Sequence, residues 1–187
     1  RQIKKNFVGK HFADYDSVVV LSHFKGHQMG GFGGALKNIS IGIASSRGKA
    51  YIHGAGDPNH MWDCEQNKFL ESMADACKSV VDFKKGALAY VSAMKNLSID
   101  CDCNNHPAAP EMADIGILAS LDPVALDQAC VDLVYASKDP GKASLIRRME
   151  SLNAVNILEA AERLGIGSRK YSLVGLDGSE LKAGDIA

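Results

Sequence analysis

The sequence predicts an α/β fold in which a mainly parallel β-sheet is flanked by helices. Three observations carry this expectation. Short apolar runs rich in β-branched residues, such as VVVL at 18–21, lack polar alternation, as strands buried on both faces do. Longer segments place apolar residues at three- and four-residue steps, the signature of one buried helix face. Glycine, proline and asparagine separate these segments, and strands alternating with helices form parallel sheets.

The elements follow in order. Residues 18–21 form the first strand. KAYIH (49–53) reads as a short strand that ends in the turn-like GAGDPN. Phe69, Met73, Ala76, Val80 and Phe83 line up on one face of a helix over 65–83, which Gly86 ends. ALAYVSAM (87–94) is a strand, a polar segment follows it, and DIGILAS (114–120) is another strand. Asp122 and Pro123 resemble an N-cap with proline in the first helical position, opening a helix over 124–136. Helices are expected over 143–152 and 155–164, the second stopped by Gly165 and Gly167. YSLVGL (171–176) closes as a strand. With no repeat or linker, residues 1–187 read as a single α/β domain. The chain opens with Arg1 close to its first strand, which is compatible with a fragment of a larger protein whose N-terminal part is absent.

Composition narrows the function classes. Of 187 residues, 46% are hydrophobic and 23% charged, as in ordinary globular proteins. A net charge of -1 gives no basic surplus for a phosphate backbone, and 6% aromatics leave little for base stacking, so nucleic acid is not an expected partner. Apolar runs fall short of the roughly 20 residues a membrane helix needs, so no membrane partner is expected either. Five cysteines without dense spacing do not describe a disulfide scaffold, and a cytoplasmic setting follows from that reading. Nothing in the composition fixes the oligomeric state.

The chemistry concentrates in LSHFKGHQMGGFGGALKNISIG (21–42), which holds His23, His27, Lys25, Lys37, Asn38 and six glycines beyond the first strand. Ligands of open α/β sheets bind at that end of the strands. The segment contains neither a P-loop nor a clean dinucleotide fingerprint. Successive N–H groups around Gly30, Gly31, Gly33 and Gly34 could still cradle an anion, with His23, Lys25, Lys37 and Asn38 beside it. His27 is a candidate acid or base, and Lys37 a candidate nucleophile or anchor. The plain alternative is a glycine-rich turn needed for tight packing. A second candidate is Cys101-Asp102-Cys103 with His106, two thiolates and an imidazole suited to a soft metal. Its alternative is a polar turn with small cysteines packed inside. Cys77 and Cys130 read as buried hydrophobes and Asp122 as a helix cap.

Three stretches in order, SHFKGHQMGGFGGALKNISIGIAS, DCDC with HPAAP after it, and DIGILASLDPVALDQACVDLV, resemble the family called domain of unknown function 362. Its members are often labelled uncharacterised Fe–S centre proteins, which implies an iron–sulfur cluster or other metal. Some carry an added ferredoxin module that this sequence lacks. The spacing of His27, Lys37 and His53, with GGFGGA between the first two, is also similar to nickel-pincer lactate racemases. That resemblance implies His27 as acid/base, Lys37 as the anchor of a pincer nucleotide and His53 as a nickel ligand. The expected function is thus binding of a metal (nickel or iron) or an anionic, small-molecule cofactor at the His/Lys loop. The alternatives are a redox centre at Cys101, Cys103 and His106, and a non-catalytic small-ligand domain.

Overall fold

The computed structural model describes residues 1–186. It is a mixed α/β structure with seven helices and a small mixed sheet. The central sheet has three strands, β1 (Val18–His23), β4 (Leu88–Met94) and β5 (Gly116–Ser120), in the order β1-β4-β5. β1 runs parallel to β4, with Val18 opposite Leu88 and His23 opposite Ala93. β5 is antiparallel to β4, with Tyr90 opposite Ser120 and Met94 opposite Gly116. The sheet is therefore mixed, not mainly parallel. The chain between Met94 and Gly116 contains no helix to carry it back across the sheet, so β5 can pair with β4 only in the opposite direction.

β2 (Lys25–His27) and β3 (Gly31–Gly33) form a small antiparallel hairpin, all six residues buried. The glycine-rich segment is thus folded structure rather than loop. A helical turn, α1 (Ala35–Lys37), follows it and passes directly into a π-helical turn at Asn38–Gly42. Next comes α2 (Ser46–His53), where a strand was expected over 49–53. The reason is local. Ser45 stands as N-cap, its Oγ accepting the Gly48 N–H at 3.2 Å, and Gly54 lies just past the end.

α3 (Gln66–Lys84) buries Phe69, Met73, Ala76 and Val80, the stripe read from the sequence, and ends at Lys85 and Gly86, both at positive φ. α4 (Pro123–Ala136) starts at Asp122, whose carboxylate accepts the Val124 and Ala125 N–H groups. α5 (Lys142–Ser151) and α6 (Asn156–Arg163) complete the larger helices. Of the last expected strand only β6 (Leu173–Val174) pairs, with β7 (Glu180–Leu181), ahead of α7 (Ala183–Ile186).

α4 packs on β4 and β5, α1 on β1 and β4, and α3 with α6 lies behind them. Val20, Leu88, Tyr90 and Met94 point into this core. The opposite sheet face is open: Val19, Leu21 and Ile117 are about 70% exposed. No described helix is long and apolar enough to cross a membrane.

Candidate metal centre

Because β1 and β4 are parallel, their carboxyl ends lie side by side and the segments leaving them stay together. The Phe24 N–H bonds the Ala93 carbonyl at 2.9 Å, and the Gly26 N–H bonds the Ser98 carbonyl at 2.8 Å. This lays β2 beside residues 98–101. Gly26 is required here, since a Cβ would overlap the Ile99 backbone. Immediately after, the Asn104 N–H bonds the Cys101 carbonyl at 2.9 Å and closes a turn. An extended Cys-Asp-Cys would also place both thiols on one side; the turn instead folds them toward each other and toward His27.

His27, Cys101 and Cys103 form a group whose ligand atoms all lie within 4.8 Å of one another, and it could hold a metal ion. His27 Nε2 sits 3.9 Å from Cys103 Sγ. Its Nδ1 accepts two backbone N–H groups, from Met29 at 3.1 Å and Gly30 at 3.0 Å. Burial, helped by the charges of Lys37, His53, Lys25 and Arg148, lowers the His27 pKa to about 3, so the ring is neutral at ordinary pH. Cys101 Sγ receives the Cys103 N–H at 3.4 Å and the Lys37 ammonium at 3.7 Å. Burial acts against ionisation of Cys101, but hydrogen bonds from Cys103 and the charges of Lys37 and Lys25 outweigh it and bring the thiol below its usual value. Burial, together with its bond to the Cys101 sulfur, pushes Cys103 up. The site thus favours one thiolate at Cys101 beside a thiol at Cys103.

Lys37 is positioned by Asp127. This carboxylate is fully buried in α4 and accepts the Ala35 and Leu36 N–H groups at 2.7 and 2.9 Å, holding the first turn of α1. Gly34 makes room, since a Cβ there would meet the Asp127 carboxylate. Desolvation raises the Asp127 pKa to about 7 against the pull of those two bonds. Gly33 lies against the stems of Lys37 and Lys25.

The other expected residues fall in several places. Lys25 Nζ donates to the His23 carbonyl at 2.9 Å and pairs with Asp102 at 3.3 Å. His23 bonds Asp102 through Nδ1 and the Lys95 carbonyl through Nε2, two acceptors that occupy both ring nitrogens. Gly31, at φ 80°, packs against Ala154. Asn38 ties the π turn to β1 through the Leu21 carbonyl and Ser22 Oγ. His53 is buried, stacked on Phe69, and its Nδ1–H donates to the Lys49 carbonyl at 2.7 Å. His106 is exposed and outside the group; its N–H bonds Asn104 Oδ1 in the next bend.

Sequence reasoning left Asp127 open between solvent and the site, and did not single out Asp100 or Arg148 for it. The Arg148 guanidinium bonds the Ile99 carbonyl at 3.1 Å and pairs with Asp100 at 3.4 Å, bracing the approach to the turn. An aspartate in the apolar run of α4 was the available signal for Asp127; Arg148 has none.

An iron–sulfur cluster does not fit these residues. Such clusters take four protein ligands, commonly cysteines. Cys77 is buried, its thiol donating to the Leu36 carbonyl. Cys130 is buried within α4, and Cys64 lies against the Glu65 carbonyl; none joins the group.

No curated protein and no solved structure matches the chain. A family profile described as domain of unknown function (DUF362) matches residues 1–132, a span that includes His27, Lys37, Cys101, Cys103 and Asp127. The match covers well over half of the sequence, and the chain belongs to the DUF362 family.

Proposed function

We propose that this protein binds a metal ion, free or as the centre of a small anionic cofactor, where the β2–β3 hairpin meets the turn at residues 101–104. The observation that carries the reading is the convergence of His27, Cys101 and Cys103 within 4.8 Å, with the Lys37 ammonium on one of the sulfurs. Cys101 and Cys103, the latter releasing its proton on binding, would be two thiolates, the natural ligands of a soft ion. Lys37 offsets their charge, and His27 supplies an imidazole beside the Cys103 sulfur. Lys25 and Arg148 already have carboxylate partners, which favours a centre built on sulfur over an isolated phosphate site. The resemblance to pincer racemases implies other roles, with His53 as a ligand and Lys37 as an anchor. His53 donates Nδ1–H to the Lys49 carbonyl, as metal-binding histidines commonly do, but lies outside the group of His27, Cys101 and Cys103. Lys37, however, faces a cysteine.

The test is elemental analysis and native mass spectrometry of protein purified without oxygen from its own host. A bound metal, retained in His106→Ala and lost in Cys101→Ser, is the expected result. Metal-free protein from the native host, or metal content indifferent to Cys101, would remove the reading.

A further inference from the structure

The hydrogen bonds around His27 narrow what this centre accepts. A histidine that binds metal through Nε2 ordinarily carries its proton on Nδ1 and donates it to a carbonyl or carboxylate. His27 has the reverse arrangement. Its Nδ1 is met by two backbone N–H donors, which leaves no room for a proton there. The proton of the neutral ring is therefore on Nε2, the atom facing Cys103 Sγ. Coordination through that atom would require either a fully deprotonated ring or a protonated Nδ1 pressed against two N–H groups. His27 is built to donate to a sulfur, not to ligate a metal.

The nearby carboxylates are also engaged. Asp100 pairs with Arg148, and Asp102 with Lys25 and His23. The donor set reduces to Cys101 and Cys103. Their sulfurs lie within 4.8 Å, a span that two metal–sulfur bonds of about 2.3 Å each can bridge. Zinc seeks four ligands and would find two. Charge points the same way. Two thiolates and the Lys37 ammonium sum to one negative charge, because the other cations at the turn have carboxylate partners. One monovalent ion neutralises that sum, whereas a divalent ion leaves a net positive charge in a partly buried place.

We propose that the centre takes a single soft monovalent cation, copper(I), held by the Cys101 and Cys103 thiolates. Lys37 balances the remaining charge, and His27 donates a hydrogen bond to the Cys103 sulfur without touching the ion. This rests on the metal-centre reading above and specifies its ion.

The test titrates the 187-residue protein with copper(I) against a chromogenic copper(I) chelator under argon, with zinc titrated in parallel. One copper per chain is expected, with affinity falling about 100-fold or more in Cys101→Ser and Cys103→Ser. X-ray absorption of the wild-type copper form should show sulfur neighbours and no imidazole nitrogen, a result that needs no variant to fold. Lys37→Met should shift preference from copper(I) toward zinc by about tenfold, because the dithiolate then carries two uncompensated charges. An imidazole shell in the wild type, or zinc bound more tightly than copper(I), would overturn the copper assignment while leaving a metal centre in place. Failure to bind either ion would overturn the copper assignment, while the metal-centre reading falls only if protein from its own host is metal-free or its metal content is indifferent to Cys101.

Discussion

The glycine-rich stretch at residues 25–34 and the turn at residues 101–104 meet at the same place on different terms. The first is almost wholly buried, and its glycines are pressed against other parts of the chain: Gly26 on Ile99, Gly31 on Ala154, Gly34 on Asp127. The second is partly exposed, is closed by a backbone bond, and carries the sulfur atoms. Glycine richness beside a strand suggests a cradle for a ligand, but here it mainly permits close approach of backbone to backbone. The chemistry sits on the neighbouring turn, which the hairpin supports from below. Density of glycine and density of reactive atoms are separate signals.

That contrast predicts a gradient of effects. The largest belongs to Gly26→Ala. Its Cβ would collide with the Ile99 backbone, which cannot swing aside, so a loss of about 4 kcal/mol or no folded product is expected. Urea unfolding would check this; near wild-type stability would show that the hairpin tolerates more than its packing implies.

Asp127→Asn comes next. An amide can accept one of the Ala35 and Leu36 N–H bonds but presents its NH2 to the other, at a cost of about 1–3 kcal/mol below pH 6. In the wild type the folded pKa of about 7 lies above the unfolded carboxylate value. The stability associated with the protonated form is therefore fully present below about pH 4 and is lost as pH rises through about 7. His27 acts oppositely. Its folded pKa of about 3 lies below the unfolded value, so its contribution is lost as pH falls from about 6.5 toward 3. The difference between wild type and Asp127→Asn, followed by urea unfolding from pH 5 to 8.5, isolates the aspartate. It should narrow with rising pH, and a constant difference would mean that the carboxylate is already ionised at pH 5.

On the turn, Cys103→Ser should change stability by no more than about 0.5 kcal/mol, as surface substitutions do. Brief alkylation of the native protein should label Cys103 well before Cys77 or Cys130, whose thiols are buried and pushed up. Peptide mass spectrometry reads the order, and early labelling of Cys77 would show the core opening under native conditions. A comparably small effect belongs to Asp102→Asn, which removes half-exposed ion pairs with Lys25 and His23. Thermal melts should register about 1 kcal/mol or less.

Local signals carried the sequence reading far in some places. VVVL, the stripe from Phe69 to Val80 and the Asp122-Pro123 start each act through neighbours within a few residues, and each forms the expected element. Helix α2 is not legible in KAYIH alone, because the serine that caps it, Ser45, lies ahead of that run. The direction of β5 depends on the path between Met94 and Gly116, which no periodicity encodes. At the site, both candidate clusters were visible as compositions, but their merger depends on Gly26 bonding Ser98, 72 residues away in sequence. The hydrogen-bond polarity of His27 arises from two N–H groups in its own turn, and residue types alone do not reveal it.

The π turn at Asn38–Gly42 has a consequence of phase. An α-helix advances about 100° per residue, and a π turn holds one residue more than an α turn over the same arc. Lys37 faces Cys101 from the end of α1 while Ile39, inside the π turn, is fully buried, so the extra residue sets the angle between the lysine and the buried side chains that follow it. Deleting one residue at Ile41 would let the segment relax to a regular α-helix. It would then have to choose between keeping its apolar contacts and keeping its lysine on the sulfur.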